Sequence, residues 1–189
     1  MSDWLDLVGS FIIGGLIILM VINLNMTVNN AATQQLYSNV TQRQVVSAVE
    51  VVEHDLYKIG YRVGGSMITK ADSTEISFYS DIDNDGLQDE VQYYLTGSSS
   101  MAGTINPNDK ILKREVNSSG TITSIIVTEL NFSYYDSLGQ SIDYSNLTDQ
   151  LNRNKIKTVK IVIETQTGEL INDEYETIKW EKTIRPKNI

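Results

Sequence analysis

The sequence predicts an α+β protein. A long N-terminal helix over residues 1–60, membrane-spanning in its first half and amphipathic in its second, packs on an antiparallel β head over residues 61–189. Three observations lead there. Trp4 to Ile22, WLDLVGSFIIGGLIILMVI, holds a single charge, Asp6. Val45, Val49, Val52, Leu56 and Ile59 then recur at spacings of four, three, four and three, one face of a helix. From Tyr61 onward the apolar period changes to two, the period of strands.

The span 4–22 would reach ~28 Å as a helix, about the hydrocarbon thickness of a bilayer. It does not read as a cleaved signal peptide, because no positive region precedes it and Asn23-Leu24-Asn25-Met26 is a poor cleavage site. Asp3 and Asp6 suit the positive end of the helix dipole. Ser10 and Gly14 are four apart, a spacing of small residues that lets helices approach closely. The first basic residue is Arg43, so lysine and arginine give no orientation. No proline or glycine interrupts residues 23–59, and Gly60 is the expected C-terminal cap. The stripe Val45, Val49, Val52, Leu56 and Ile59 is the expected helix–sheet seam.

In the head, EISFYS (Glu75–Ser80) and EVQYYL (Glu90–Leu95) read as a hairpin. KILKREV (Lys110–Val116) follows a loop, Gly97 to Asp109, that reads as exposed. Leu130, Phe132 and Tyr134 alternate within TITSIIVTELNFSYYD. Val159, Ile161 and Ile163 alternate in TVKIVIETQ, and Ile178 and Trp180, with Ile184 in line, alternate in EYETIKWEKTI. Short turns between sequential strands favour antiparallel pairing, with the valine stripe covering one face.

Composition narrows the function. A formal net charge of -9 argues against nucleic acid as a partner. Without cysteine there are no disulfides, thiolate metal sites or cysteine nucleophile. The single histidine, His54, excludes a multi-histidine metal site. No nucleophile elbow is present and nothing is spaced for acid–base work, so the chain does not read as an enzyme.

One stretch does carry chemistry. Asp81-x-Asp83-x-Asp85-Gly86-x-x-Asp89 places carboxylates at odd positions and glycine at the sixth, as calcium loops do. Hard oxygen donors at this density suit Ca2+, in a structural role, better than zinc or copper. The expected ligands are the side chains of Asp81, Asp83, Asp85 and Asp89 and the backbone carbonyl of Leu87, with Glu90 a weaker candidate. It is not an EF-hand, because the twelfth position is Gln92 rather than glutamate and strands flank it. The alternative is an acidic hairpin turn without an ion.

The order of these pieces resembles a type IV pilin, and within that family the W-type minor pilins and the J-type pseudopilins of type II secretion. HDLYKIGY (His54–Tyr61) is similar to the family's Asp-Leu-Arg-x-Ala-Gly-Tyr at the end of the long helix. ISFYSDIDNDGLQDEVQYYL resembles its strand, acidic turn and strand, and LKREV its next strand. ELNFSYYDSLG is similar to its Leu-x-Phe-x-Tyr-x-Asp-x-x-Gly strand, and IKTVKIVIETQT with TIRPKNI to its closing strands. The resemblance implies a single-pass prokaryotic membrane protein with its head outside the cytoplasm. It would be a structural subunit of a pilus-like filament or secretion pseudopilus, partnered by copies of itself or other pilin-like subunits. The alternative is a membrane-anchored, calcium-stabilised surface binding module that does not polymerise. Members of the family carry a basic leader, a glycine cut site and a glutamate fifth in the mature chain, a pattern not visible here. With Met1 first, position five is Leu5; with Met1 removed it is Asp6. The resemblance therefore makes Asp6, and after it Asp3, the candidate for the acidic assembly residue.

Overall fold

A computed structural model describes residues 2–96, 106–118, 123–168, 170 and 174–189. Helix α1 spans Ser2–Tyr57. The chain divides into two units, Met1–Val40 and Thr41–Ile189. The first is helix alone. It is long and apolar enough to cross a membrane, and none of its most apolar window is buried within the chain. Phe11 is 75% exposed and Leu16 61%, so neither meets a protein neighbour that covers it. Such a surface belongs in lipid or against other protein.

The second unit is the head. Its strands are β1 (Ile68–Ala71), β2 (Glu75–Ser80), β3 (Asp89–Thr96), β4 (Lys110–Val116), β5 (Thr123–Val127), β6 (Glu129–Tyr135), β7 (Thr158–Gln166) and β8 (Thr177–Ile184). They form two antiparallel sheets, ordered β1-β2-β3-β4-β5 and β6-β7-β8. The α+β class is as expected; the division into two sheets is new. TITSIIVTELNFSYYD is not one strand. β5 closes the first sheet, the chain turns at Thr128, and β6 opens the second. Thr128 N donates to Glu164 O (2.8 Å), which fixes the turn to β7. β1 gives no period-two signal because it is four residues long and its pairing slips between Ile68 and Lys70.

The core lies where residues 41–59 meet the sheets. Val45, Val49, Val52, Leu56 and Ile59 are all buried, in one cluster with Ile76, Phe78, Val91, Leu112, Phe132 and Ile161. Leu130, Phe132 and Tyr134 alternate inward on β6, as do Val159, Ile161 and Ile163 on β7. α1 ends at Tyr57, three residues before Gly60. Gly60 is nonetheless the stop: its φ is 77° and its amide donates to Tyr79 O (2.9 Å). A Cβ there would press on the Met67 side chain and lie 3.1 Å from Asn188 O, which adds to the strain of the left-handed φ in favouring glycine. Among residues 97–109, 97–105 fall outside the described part. Asn106 and Asp109 at its end are buried, not exposed as expected. Asn106 Nδ2 donates to Gln166 Oε1 (3.1 Å) and Thr167 O (3.3 Å), holding the loop end to β7.

One charge sits in this seam. Asp55 is 1% exposed, one residue before Leu56 of the stripe. Its Oδ2 accepts from Arg114 Nε (2.6 Å) on β4 and from the Tyr93 hydroxyl (2.7 Å) on β3. Tyr93 and Arg114 face each other across the two strands. Burial first, then the Asp55 charge and hydrogen bond, push the Tyr93 hydroxyl well above the ordinary tyrosine range, so it stays a donor. Removing one partner from such a pair leaves an uncompensated buried charge. Arg114→Met should therefore cost about 3–5 kcal/mol. The double variant Asp55→Asn, Arg114→Met should cost less than the sum of the two single changes. Denaturation of the full chain in detergent checks both.

Candidate metal centre

β2 ends at Ser80 and β3 begins at Asp89, paired to it in register. The eight residues between them cannot form a tight two-residue turn. They fold as a run of side-chain-to-backbone turns instead. Asp83 Oδ1 accepts from Asp85 N (3.1 Å) and Asp85 Oδ1 from Leu87 N (2.7 Å). Asn84 (φ 67°) and Gly86 (φ 91°) supply the left-handed backbone this path needs.

The loop is held from three sides. From the end of α1, Lys58 Nζ donates to Ile82 O (2.6 Å), and Ser80 Oγ donates back to Lys58 O (2.7 Å). From the segment after Gly60, Tyr61 O accepts from Asp81 N (3.0 Å), and Arg62 Nη1 donates to Asp81 Oδ2 (3.0 Å). From the end of β4, Asn117 reaches across. Its Nδ2 donates to Asp89 Oδ1 (2.6 Å), its Oδ1 accepts from Glu90 N (2.9 Å), and its own amide donates to Glu90 O (2.9 Å). Asp89 Oδ2 accepts from Ile82 N (3.1 Å), closing the loop on itself.

These restraints gather three of the expected ligands. One carboxylate oxygen from each of Asp81, Asp83 and Asp89 lies within 4.8 Å of the other two, and among the described residues this is the group that can hold a metal ion. Asp85 stands outside it, exposed, with Oδ1 turned to Leu87 N. The Leu87 side chain is exposed at 70%. Glu90 is half-buried in β3, paired with Tyr79 of β2.

A second feature points the same way. The Asp81 side chain is 1% exposed. Its Oδ2 is occupied by Arg62 and by Gly86 N (3.2 Å), but its Oδ1 is buried without a donor. A buried carboxylate oxygen with no partner is costly, and a cation satisfies it. Burial pushes the Asp81 carboxyl up. Hydrogen bonds from Arg62 and the Gly86 amide, with the nearby Asn84 amide and the guanidinium charge, outweigh it and hold the group below the ordinary carboxylate value. Asp81 is thus held as an anion, not a neutral acid. The site offers oxygen only; His54 is on α1, 60% exposed, with Nδ1 3.3 Å from Asp55 Oδ1.

Arg62, Lys58 and Asn117 carry no signal in the loop's own sequence. Asn117 belongs to NSSG, which reads simply as a turn, and its left-handed φ of 53° is what aims it at Asp89. At the other end of the chain, Asp3 and Asp6 are exposed in the first turns of α1. Ser10 Oγ donates to Asp6 O (2.8 Å), and a Cβ at Gly14 would meet nothing within 4 Å. No protein-family model matches the chain, and neither a curated protein nor a solved structure does.

Asn117→Ala loses the bonds to Asp89 and Glu90 and puts alanine in a left-handed conformation, for an expected cost of about 1–2 kcal/mol. Asn117→Gly keeps the backbone and loses only the side-chain part, so it should fall between alanine and the parent. Thermal denaturation in chelator ranks the three.

Proposed function

We propose that the chain is a structural subunit of a type IV pilus-like filament or secretion pseudopilus. The observation that carries this reading is the uncovered apolar helix. Residues 4–22 are apolar but for Asp6 and Ser10, and none of the helix's most apolar window is buried within the chain, while the head has its own core. A helix of this kind is first soluble in lipid. It then transfers into a bundle of like helices, where small residues such as Ser10 and Gly14 allow close approach. Asp6 is the residue for which neither environment is favourable without a cation, so it sets axial register by meeting one on a neighbour. The ordered resemblance to pilins, from HDLYKIGY to TIRPKNI, supports the same reading. The head then lies outside the cytoplasm, and the work of the protein is assembly rather than catalysis.

The metal is proposed to be calcium. Three carboxylates and an all-oxygen surrounding suit a hard cation, and Asp81 Oδ1 is the buried acceptor it would satisfy. When bound, it supplies charge neutralisation at the hairpin tip and stabilises the head by mass action. Asp81, Asp83 and Asp89 would hold it; Asn117 and Ile82 N keep Asp89 in place.

Asp6→Ala should leave the head folded and reduce incorporation into filaments sheared from the cell surface, scored by electron microscopy. Normal filament yield removes Asp6 from the mechanism. Parent protein found only dispersed in membranes supports the surface-module reading instead. Calcium should raise the melting temperature of the full chain in detergent, chelator should reverse the shift, and Asp81→Asn should abolish it. Identical melting with calcium and chelator leaves the loop as an acidic turn without an ion.

A further inference from the structure

The outermost strands of the two sheets differ in what lies beside them. At β1, Gln150 Nε2 donates to Ile68 O (3.0 Å). At β6, Phe132 N donates to Ser73 O (2.7 Å), and Phe132 O accepts from the Tyr144 hydroxyl (2.5 Å). β5 lies beside β7. β8 is the exception: it is outermost in its sheet, eight residues long and without proline.

The pairing with β7 shows which of its groups face outward. Thr167 N donates to Glu176 O (3.0 Å), one step beyond the last paired residues, Gln166 and Thr177. Hydrogen bonds in an antiparallel pair fall on alternate residues. Ile178, Trp180 and Lys182 therefore bond to β7, while Thr177, Lys179, Glu181 and Thr183 turn their N–H and C=O groups away from it. Among the described residues, none bonds to those outward groups. The side chains alternate too. Lys179 and Glu181 are exposed on one face, and Trp180 is half-buried on the other, packed against the core.

An unpaired edge of this length is a template for another strand. We infer that β8 pairs with β8 of a second copy, antiparallel, about a twofold axis at Trp180. The four outward residues are symmetric about Trp180, so this register alone uses them all: Thr177 lies opposite Thr183, and Lys179 opposite Glu181, in both directions. Charge selects the same register. Lysine on an edge ordinarily keeps other strands away. Here each Lys179 meets Glu181 of the second copy. Within one chain Lys179 already pairs with Glu164 (2.9 Å) and Glu181 with Lys160 (3.4 Å), both on β7. The exposed face thus becomes an alternating row across both copies, Glu164, Lys179, Glu181, Lys160, with opposite charges adjacent throughout. On the other face the two Trp180 side chains meet at a non-hydrogen-bonded position, where side chains lie closest, and aromatic cross-strand pairs are favourable. The interface is the same patch on each copy and closes on itself. The twofold axis reverses the direction of residues 41–59 in the second copy. The pair therefore joins heads that meet from opposite directions, not neighbours within one filament, and it uses no residue of the filament or calcium readings.

The chain has no cysteine, so single-cysteine variants report the register directly. In the pair, residue 179 lies opposite residue 181 of the second copy with Cα atoms ~5.5 Å apart, within disulfide reach. Like positions are offset by two residues and lie about 8 Å apart, beyond it. Full chains of Lys179→Cys and Glu181→Cys, mixed in detergent and oxidised, should give at least about five-fold more covalent dimer than either variant alone at the same total concentration. Equal yields from the mixture and the single variants, or no covalent dimer from any of them, overturn the inference. A second pair, Thr177→Cys with Thr183→Cys, leaves the charges in place and should crosslink with the same selectivity. Adding Lys179→Glu to both of its members sets glutamate against glutamate and should cut that yield about ten-fold. An unchanged yield overturns the part assigned to Lys179 and Glu181.

Discussion

The head depends on one buried carboxylate. A stripe of valines against a sheet is favourable over a range of helix rotations and slides, because apolar contact is non-directional. Asp55 removes that freedom. It is tolerated in the seam only where Arg114 Nε and the Tyr93 hydroxyl meet it at 2.6 and 2.7 Å, and those two groups are fixed by the pairing of β3 with β4. The ion pair need not add net stability over an apolar replacement. Its effect is to make one alignment of helix and sheet far better than its neighbours.

That alignment sets the position of the acidic loop. Once Asp55 and Leu56 are seated, Lys58 falls beside Ile82, Gly60 against Tyr79 and Arg62 beside Asp81. The acidic loop therefore meets two basic side chains from the end of the helix. Both also lie over the Tyr61 ring, at 5.6 and 5.1 Å from its centroid. They neutralise part of the loop's charge without bonding Asp81 Oδ1, so the protein's own cations help hold the acidic loop in its fold.

Much of this was legible in the sequence, for identifiable reasons. Periodicity reports burial, so Val45, Val49, Val52, Leu56 and Ile59 were readable as the seam and are all buried. It does not report which sheet a strand joins. β5 and β6 are both apolar-rich and almost contiguous, so the turn at Thr128 is invisible in composition. Charge spacing pointed to the loop at residues 81–89 but could not separate Asp85 from the three aspartates that converge, because a single bond to Leu87 N decides its direction. Partners distant in the chain were not legible at all. Asp55 and Arg114 are 59 residues apart, and nothing local to either marks the other.

The two acidic residues at the end of α1 address different parts of the head. Asp55 binds Arg114 of the five-stranded sheet, and Glu53 binds Lys182 of the three-stranded one. In sequence, Thr128 alone separates the strands of one sheet from those of the other. A tensile load entering through residues 41–57 therefore does not have to pass from sheet to sheet through that peptide. It divides at the helix and reaches both sheets in parallel, each through its own ionic anchor. Relative movement of the two sheets is then resisted at the helix as well as in the core they share.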